Sequence, residues 1–269
     1  MMYLFTKPKF AFCFTGGGSR GAVQVGMLKE FLVSGINPIA VSGSSVGALN
    51  AAYFASNPTL EGVLELEKIW LAMNESIIFP NNTSDLVKGI FSSNYTVSNL
   101  GLKDLINKLG KQRIEESEIP LYINTTLLQN GENIIHKKGP IKEILLASCA
   151  IPGLFPPVEI NQELHIDGGV SSAAPVHPLK IHRPKLIYVL DSTGPTHNPK
   201  QKTALDILKT GFSYSTRSQI VNLEGDSKVK VISLPSFNYK KDSRNFDNTS
   251  ELIRLGEEIV RKVLRGEKG

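Results

Sequence analysis

The chain has 269 residues, of which 41% are hydrophobic and 20% charged, a composition that indicates a folded globular protein and excludes disordered and fibrous classes. Its net charge of +5 is modest and spread out, and without a zinc-finger spacing or an aromatic–basic motif we expect no nucleic-acid partner. No apolar run approaches the ~18 residues of a membrane span, so we expect one cytoplasmic domain over residues 1–269. Both cysteines, Cys13 and Cys149, lie in apolar surroundings and are expected to be buried, neither bridged nor metal-bound.

The first sixty residues predict two strand–turn–helix units. The apolar run Phe10–Phe14 indicates a buried strand, and apolar residues at helical spacing follow it up to Gly35. Ile39–Ser42 indicates a second strand, and Val46–Ala52 a second helix. Strands that alternate with helices predict a parallel sheet covered by helices.

The rest of the chain predicts further strands and helices around one break. Asn, Ser and Thr are frequent over residues 74–101, which we expect to form a loop-rich insertion or lid. The other predicted helices span 58–73, 141–150, 203–221 and 250–264, and the other predicted strands span 121–128, 133–136, 158–160, 164–166, 186–190 and 229–234.

A serine motif follows the second predicted strand. Gly43-Ser44-Ser45-Val46-Gly47 matches the G-x-S-x-G nucleophile elbow and stands between a strand and a helix, as that motif requires. The turn is so sharp that side chains two residues either side of the serine would clash, which explains both glycines. The pattern predicts that Ser45 is a nucleophile.

A glycine loop lies one strand–helix turn earlier, and it allows two interpretations. Gly16-Gly17-Gly18-Ser19-Arg20-Gly21 also satisfies the dinucleotide-binding fingerprint, which needs an acidic residue at the end of the second strand. That place is Val41-Ser42-Gly43-Ser44, with no acidic residue and no arginine. Loop and elbow share one sheet edge, so we expect an oxyanion hole at Gly16, Gly17, Gly18, Ser19 and Arg20.

A serine needs a base to take its proton, and the residues leave two candidates. His177 or His182 would complete the order Ser–Asp–His of an α/β-hydrolase triad with Ser45 and Asp167. Such hydrolases build several strands before the elbow, however, whereas one strand precedes it here. Asp167-Gly168-Gly169 ends a short predicted strand, and taken alone it predicts an ordinary turn.

Four segments in this order resemble the patatin-like phospholipase family. They are the glycine loop, the serine elbow, Asp167-Gly168-Gly169, and the preceding segment Ala147-Ser148-Cys149-Ala150-Ile151-Pro152-Gly153-Leu154-Phe155-Pro156-Pro157-Val158. The resemblance spans about Phe10 to Val176. It implies a three-layer α/β/α fold with a mainly parallel central sheet, and a dyad of Ser45 and Asp167 without a histidine.

By that resemblance, Ser45 attacks an ester carbonyl and Asp167 accepts its proton and returns it to the leaving alcohol. Backbone N–H groups near Gly17, Gly18 and Ser19 hold the oxyanion, and Arg20 steadies the loop. Val46 departs from the family, since many members carry a smaller residue there.

The predicted function is that of a lipid acyl hydrolase or related carboxylesterase that acts on a lipid or small ester and needs no metal or organic cofactor. The alternatives are a transacylase with the same dyad, or a lipid-binding or regulatory protein with a silent dyad. Access to lipid calls for apolar surface. We expect Ile77, Ile78, Phe79 and Phe91 to provide it for peripheral membrane contact, although core packing explains them equally well.

Overall fold

The computed structural model describes residues 8–78, 99–108, 110–194, 204–235 and 246–266, and these form one sheet with helices against it. The strands are β1 Phe10–Phe14, β2 Pro38–Gly43, β3 Leu121–Leu127, β4 Asn133–His136, β5 Val158–Ile160, β6 Glu163–Asp167, β7 Leu186–Asp191 and β8 Val229–Ser233. The helices are α1 Ala22–Val33, α2 Val46–Ser56, α3 Leu60–Ala72, α4 Glu75–Ile78, α5 Leu100–Asn107, α6 Ile141–Ser148, α7 Ala204–Val221 and α8 Thr249–Leu264.

The sheet is mixed, with a parallel centre. Its order is β5-β6-β3-β2-β1-β7-β8, and β4 pairs with β3. Five neighbouring strands run parallel to one another, namely β3, β2, β1, β7 and β8, whereas the pairings of β4 with β3, β6 with β3 and β5 with β6 are antiparallel. The predicted α/β class and mainly parallel sheet are therefore confirmed.

Alternate residues of β1 face two separate cores. Phe12 and Phe14 belong to the larger core, beneath α1, α2, α3, α6 and α8. Ala11 and Cys13 point to the opposite face, where residues of α7 and of the 3-10 turn His177–His182 cover them. Successive side chains of a strand point to opposite faces, so a run buried throughout needs helices on both sides. The result is the predicted order of three layers.

The strand β3 brings two distant parts of the chain together. Its first residues, Leu121–Ile123, pair with β2, its last, Thr125–Leu127, pair with β6, and β4 pairs with Ile123–Thr126. A strand has two edges, so β2 and β6 must share the edge opposite β4. They run in opposite directions along it, and their carboxyl ends, Gly43 and Asp167, face each other.

Only the two ends of the predicted insertion over 74–101 are described, and both ends are helical. Residues 75–78 form α4, and α5 begins at Leu100 and buries Leu102, Leu105 and Ile106. The proposed lid itself, with Phe79 and Phe91, lies outside the described residues. Among the helices of the described ranges, none combines the length and the hydropathy needed to cross a membrane.

Candidate active site

Ser45 lies in a strained turn between β2 and α2. Its backbone has φ 54° and ψ −131°, and such a conformation costs a non-glycine residue on the order of 1–3 kcal/mol. A Cβ on Gly43 would collide with the Gly47 carbonyl, and a Cβ on Gly47 would collide with carbonyl oxygens at the end of β1. The two glycines thus allow the tight turn that holds Ser45 at the carboxyl end of β2.

The glycine loop passes directly beside Ser45. A Cβ on Gly16 would lie 3.1 Å from Ser45 Cβ, so a side chain there would crowd the serine. Gly18 has φ 60°, a conformation that glycine adopts without strain. Within the described residues, no protein acceptor pairs with the N–H groups of Gly17 and Gly18. These N–H groups remain available to a ligand.

Arg20 forms hydrogen bonds within the glycine loop. Its backbone N–H and its Nε both donate to the Gly17 carbonyl, at 3.3 and 3.4 Å. The backbone N–H of Arg20 is thus already paired, unlike those of Gly17 and Gly18. Ser19, the residue between, is buried.

A buried network of polar side chains is hydrogen-bonded to the glycine loop. This network was not predicted from the sequence. Ser192 Oγ donates to the Gly16 carbonyl at 2.9 Å. Gln24 Nε2 donates to a carbonyl at the carboxyl end of β1, at 2.8 Å, and to another at the carboxyl end of β7, at 2.9 Å. Asn50 donates to Gln24 Oε1 and accepts from Trp70 Nε1, both at 2.8 Å. An available signal was that Gln24 and Asn50 are polar residues within otherwise apolar helical runs.

Asp167 ends β6 and is completely buried. Its Oδ1 accepts the Gly169 N–H at 2.7 Å, while Oδ2 has no partner of ordinary hydrogen-bond geometry among the described residues. Burial raises the pKa of this carboxyl from 3.8 to about 7, and the nearby Ser45 hydroxyl and the Gly169 N–H oppose the rise. The Ser45 hydroxyl therefore lies close to the Asp167 carboxyl without a hydrogen bond of ordinary geometry.

Asn124 on β3 supports the turn after Asp167. Its Nδ2 donates to the carbonyls of Gly168 and Ser172, at 2.9 and 2.8 Å. A Cβ on Gly168 would approach the backbone and side-chain oxygens of Asn124 to 2.5 Å. The glycine after the aspartate is therefore required by packing against β3, which an ordinary turn would not demand.

The described histidines lie away from Ser45. His136 and His165 both bond to Thr125 Oγ1, at 2.8 and 2.9 Å, and burial lowers the pKa of each. His182 bonds to the Tyr122 hydroxyl at 2.9 Å. None of these, nor His177, lines either cavity at Ser45, and His197 lies outside the described residues. Within the described residues, Asp167 is thus the base candidate nearest Ser45.

One of the two cavities that the described residues form at Ser45 is apolar. It has a volume of about 680 Å³, is partly open to solvent, and is lined by side chains such as Leu49, Leu66, Ile69, Leu102 and Phe155. The polar atoms of Asn50, Tyr53 and Trp70 in its wall are bonded to other protein groups. Ile78, expected either at a membrane or in the core, is buried and lines this cavity.

The second cavity is more polar and lies on the Asp167 side. It has a volume of about 750 Å³, also partly open, and includes the glycine loop, Arg20, Asp167, Thr193, Ser213 and Thr216. The two cavities share Gly18, Ser45 and Ile151. Ser45 therefore lies where an apolar space and a polar space meet.

No group of His, Cys, Asp and Glu side chains suited to hold a metal ion occurs among the described residues. Cys13 and Cys149 are both unbridged and buried, as expected. Cys149 nevertheless lines the apolar cavity and lies close to both Ser45 and Asp167, and burial raises the pKa of its thiol. This position was not predicted from the sequence.

The sheet and the elbow place the chain among α/β proteins that present a serine at the carboxyl edge of a sheet. A family model described as Patatin-like phospholipase matches residues 12–180, more than half of the chain. The chain belongs to this family, and the resemblance noted in the sequence is confirmed.

Three curated relatives show the extent of the similarity. Lysophospholipase NTE1 of Pyricularia oryzae is 27% identical over 176 residues, which are 65% of this chain and 11% of that protein. An uncharacterized NTE family protein of Mycobacterium tuberculosis is 26% identical over 176 residues, 65% of this chain and 46% of its own. Patatin-like phospholipase domain-containing protein 7 of Rattus norvegicus is 25% identical over 195 residues, 70% of this chain and 14% of its own. The chain thus spans less than half the length of these relatives.

A solved structure shares the fold. The crystal structure of VipD from Legionella pneumophila matches with a TM-score of 0.55 at 14% identity, over 97% of this chain and 67% of VipD. At this identity the likeness concerns the fold alone.

Proposed function

We propose that this protein is a serine hydrolase that cleaves carboxylic ester bonds of lipids through a Ser45–Asp167 dyad. The observation that carries the proposal is the position of Ser45. It lies in a strained elbow, beside unpaired N–H groups of the glycine loop, near a buried carboxyl, and at the junction of two cavities. Membership of the patatin-like phospholipase family supports the reaction class.

Asp167 acts as the general base in this proposal. A catalytic base works best when its pKa lies near the working pH, and burial brings the pKa of Asp167 to about 7. The carboxylate takes the Ser45 proton as Oγ attacks the ester carbonyl. The protonated carboxyl then gives that proton to the departing alcohol, and a water molecule hydrolyses the acyl-enzyme by the same route.

The N–H groups of Gly17 and Gly18 stabilise the oxyanion that forms during attack. Both residues line the same cavity as Ser45, and their N–H groups have no protein acceptor within the described residues. One such donor contributes on the order of 3–4 kcal/mol to the transition state. The network from Ser192 to Trp70 keeps the loop in place before substrate arrives.

The two cavities suggest which part of the substrate lies where. The apolar cavity presents few polar atoms, because Asn50, Tyr53 and Trp70 are bonded to protein, and this favours a hydrocarbon chain. The leaving alcohol must reach the proton on Asp167, and Asp167 lines the polar cavity only. We therefore place the acyl chain in the apolar cavity and the alcohol portion in the polar one. One relative bears the name lysophospholipase, which agrees with a lipid ester.

The test is labelling with a fluorophosphonate probe, combined with hydrolysis of soluble esters. Ser45→Ala should abolish labelling, and Asp167→Asn should slow both labelling and hydrolysis by about 10³-fold or more. Ser42→Ala is a matched control, since Ser42 is also a buried serine, lies on β2, and bonds to the Pro175 carbonyl. This control should label at the rate of the unaltered protein. Labelling that survives in Ser45→Ala would overturn the assignment.

Product analysis separates the hydrolase from its alternatives. With a phospholipid substrate and an added alcohol, free fatty acid as the main product supports hydrolysis, whereas acylated alcohol indicates a transacylase. Binding of lipid without turnover by a folded protein indicates a silent dyad. Comparing vesicles with soluble esters then measures how much activity depends on peripheral membrane contact.

A further inference from the structure

The segment Ser148-Cys149-Ala150, which ends α6, contacts both Ser45 and Asp167. Ser148 Oγ accepts the backbone N–H of Ser45 at 3.0 Å. Two residues later, the Ala150 carbonyl accepts the backbone N–H of Asp167 at 2.9 Å. Three consecutive residues thus hold the backbones of two residues that are 122 positions apart in the chain.

Hydrogen bonds and burial hold the segment itself in place. Its backbone N–H groups at Cys149 and Ala150 are bonded to the carbonyls of Leu145 and Ala147, at 3.1 and 3.0 Å. Ser148, Cys149 and Ala150 are all buried. A helix end fixed in this way can serve as a spacer, because displacing it would break hydrogen bonds in a region closed to water.

The contact with Ser148 matters because of the strain at Ser45. The nucleophile candidate keeps φ 54° only while its surroundings oppose relaxation of the turn. Ser148 Oγ is the side-chain acceptor of its backbone N–H, and no other protein group is bonded to that N–H within the described residues. Without the Ser148 hydroxyl, a buried N–H would lose its partner and the turn could shift to find another.

We propose that Ser148 is a positioning residue, which together with the Ala150 carbonyl sets the separation between the Ser45 hydroxyl and the Asp167 carboxyl. The proposal rests on the function proposed above. It assigns a role within segment 147–158, one of the four segments that resemble the patatin-like phospholipase family. This segment contains no residue of the proposed dyad or of the proposed oxyanion hole. It also explains why a serine follows the apolar run Ile144–Ala147 at the end of this helix.

The test compares Ser148→Ala with Ser42→Ala. Both remove a completely buried serine hydroxyl with one hydrogen bond to a backbone group, but the Ser42 hydroxyl bonds to Pro175. For Ser148→Ala we expect kcat to fall about tenfold with KM within about twofold, since the lost contact acts on the reacting geometry and not on substrate binding. For Ser42→Ala we expect a lower Tm with kcat unchanged.

The pH profile supplies a readout that a purely structural role would not move. The Ser45 hydroxyl lowers the pKa of Asp167, so a displaced Ser45 lets that pKa rise. The midpoint of kcat/KM against pH should therefore move upward in Ser148→Ala and stay in place in Ser42→Ala. If Ser148→Ala does not fold, Ser148→Cys fills the site with a weaker acceptor and should show the same shift to a smaller extent.

The outcomes distinguish this inference from the proposed function. If wild type labels and turns over while Ser148→Ala matches Ser42→Ala in kcat and midpoint, the positioning role is wrong and the dyad stands. If wild type neither labels nor hydrolyses esters, the dyad itself is wrong. A fall in kcat together with an upward midpoint in Ser148→Ala alone supports the inference.

Discussion

The Ser45 side and the Asp167 side of the candidate site are built in different ways. Ser45 and the glycine loop belong to two consecutive strand–helix turns within the first 56 residues, and glycines determine their backbone shape. Asp167 lies on an antiparallel strand in the second half of the chain, and burial is the main cause of its raised pKa. One half of the site thus depends on local backbone geometry, and the other on long-range pairing and on exclusion of water.

Apart from substitutions of Ser45 and Asp167 themselves, the largest expected effect comes from altering the backbone on the Ser45 side. A Cβ on Gly17 would overlap Ser192 Oγ and approach its carbonyl to 2.9 Å, so Gly17→Ala must displace the loop. We expect kcat to fall by about 10²–10³-fold, the effect of losing one oxyanion donor. Steady-state kinetics on a soluble ester measures it.

Gly225→Ala is the control for that substitution, because its Cβ would meet nothing within 4 Å. It should leave kcat unchanged and affect Tm only slightly. Wild-type kcat in Gly17→Ala would show that the loop does not hold the oxyanion.

The second expected effect concerns the free energy of unfolding on the Asp167 side. The pKa of Asp167 is about 7 in the folded protein, against 3.8 as the ordinary value. Between these pH values the unfolded chain releases the proton while the folded protein keeps it, so the Asp167 contribution lowers stability as pH rises and levels off above pH 7. Asp167→Asn removes this cost and should stabilise the fold by up to ~4 kcal/mol at pH 8, since one pKa unit corresponds to about 1.4 kcal/mol.

Denaturant unfolding of wild type and Asp167→Asn at pH 5 and pH 8 tests this sign. The gain should be larger at pH 8, even though we expect Asp167→Asn to hydrolyse esters far more slowly. Wild-type kcat/KM should rise with pH through about 7, as the base loses its proton. An Asp167→Asn variant that is less stable than wild type at pH 8 would contradict burial as the cause of the shift.

The smallest effect distinguishes the two cavities. Ile69 lines the apolar cavity and is partly buried, whereas Thr216 lines the polar one. Ile69→Trp should reduce kcat/KM for a 16-carbon ester about tenfold more than for a 4-carbon ester, because the bulkier ring shortens the space for the chain. Thr216→Val should leave the chain-length preference unchanged and alter the preference among leaving alcohols. Equal losses on both esters in Ile69→Trp would argue against acyl binding there.

Much of the fold was predictable because its signals are local. The run Phe10–Phe14 and the periodicity up to Val33 gave the first strand and helix at nearly their observed bounds. Helix α5 was not predicted, since its eight residues follow a polar stretch and are stabilised by burial of Leu102, Leu105 and Ile106. Short amphipathic segments of this kind depend on tertiary packing more than on propensity.

The candidate site also has parts that local sequence signals predict and parts that depend on tertiary packing. The elbow and the glycine loop are evident from the sequence because strained turns exclude side chains, and this leaves glycines at fixed spacing. The buried network of Gln24, Asn50 and Trp70 was missed, because hydrogen bonds between helices leave no spacing rule in the sequence.

The sequence by itself determined the strand–turn–helix units, the sharp turn at Ser45 and the glycine loop beside it, since each follows from steric limits on a few neighbouring residues. Only the tertiary structure decided that Asp167 is buried opposite Ser45, that two cavities meet there, and that Ser148 and Ala150 hold both backbones. The physical reason is that burial, a raised pKa and a cavity arise from groups that are distant in sequence. These properties exist only after β2 and β6 have paired along the same edge of β3.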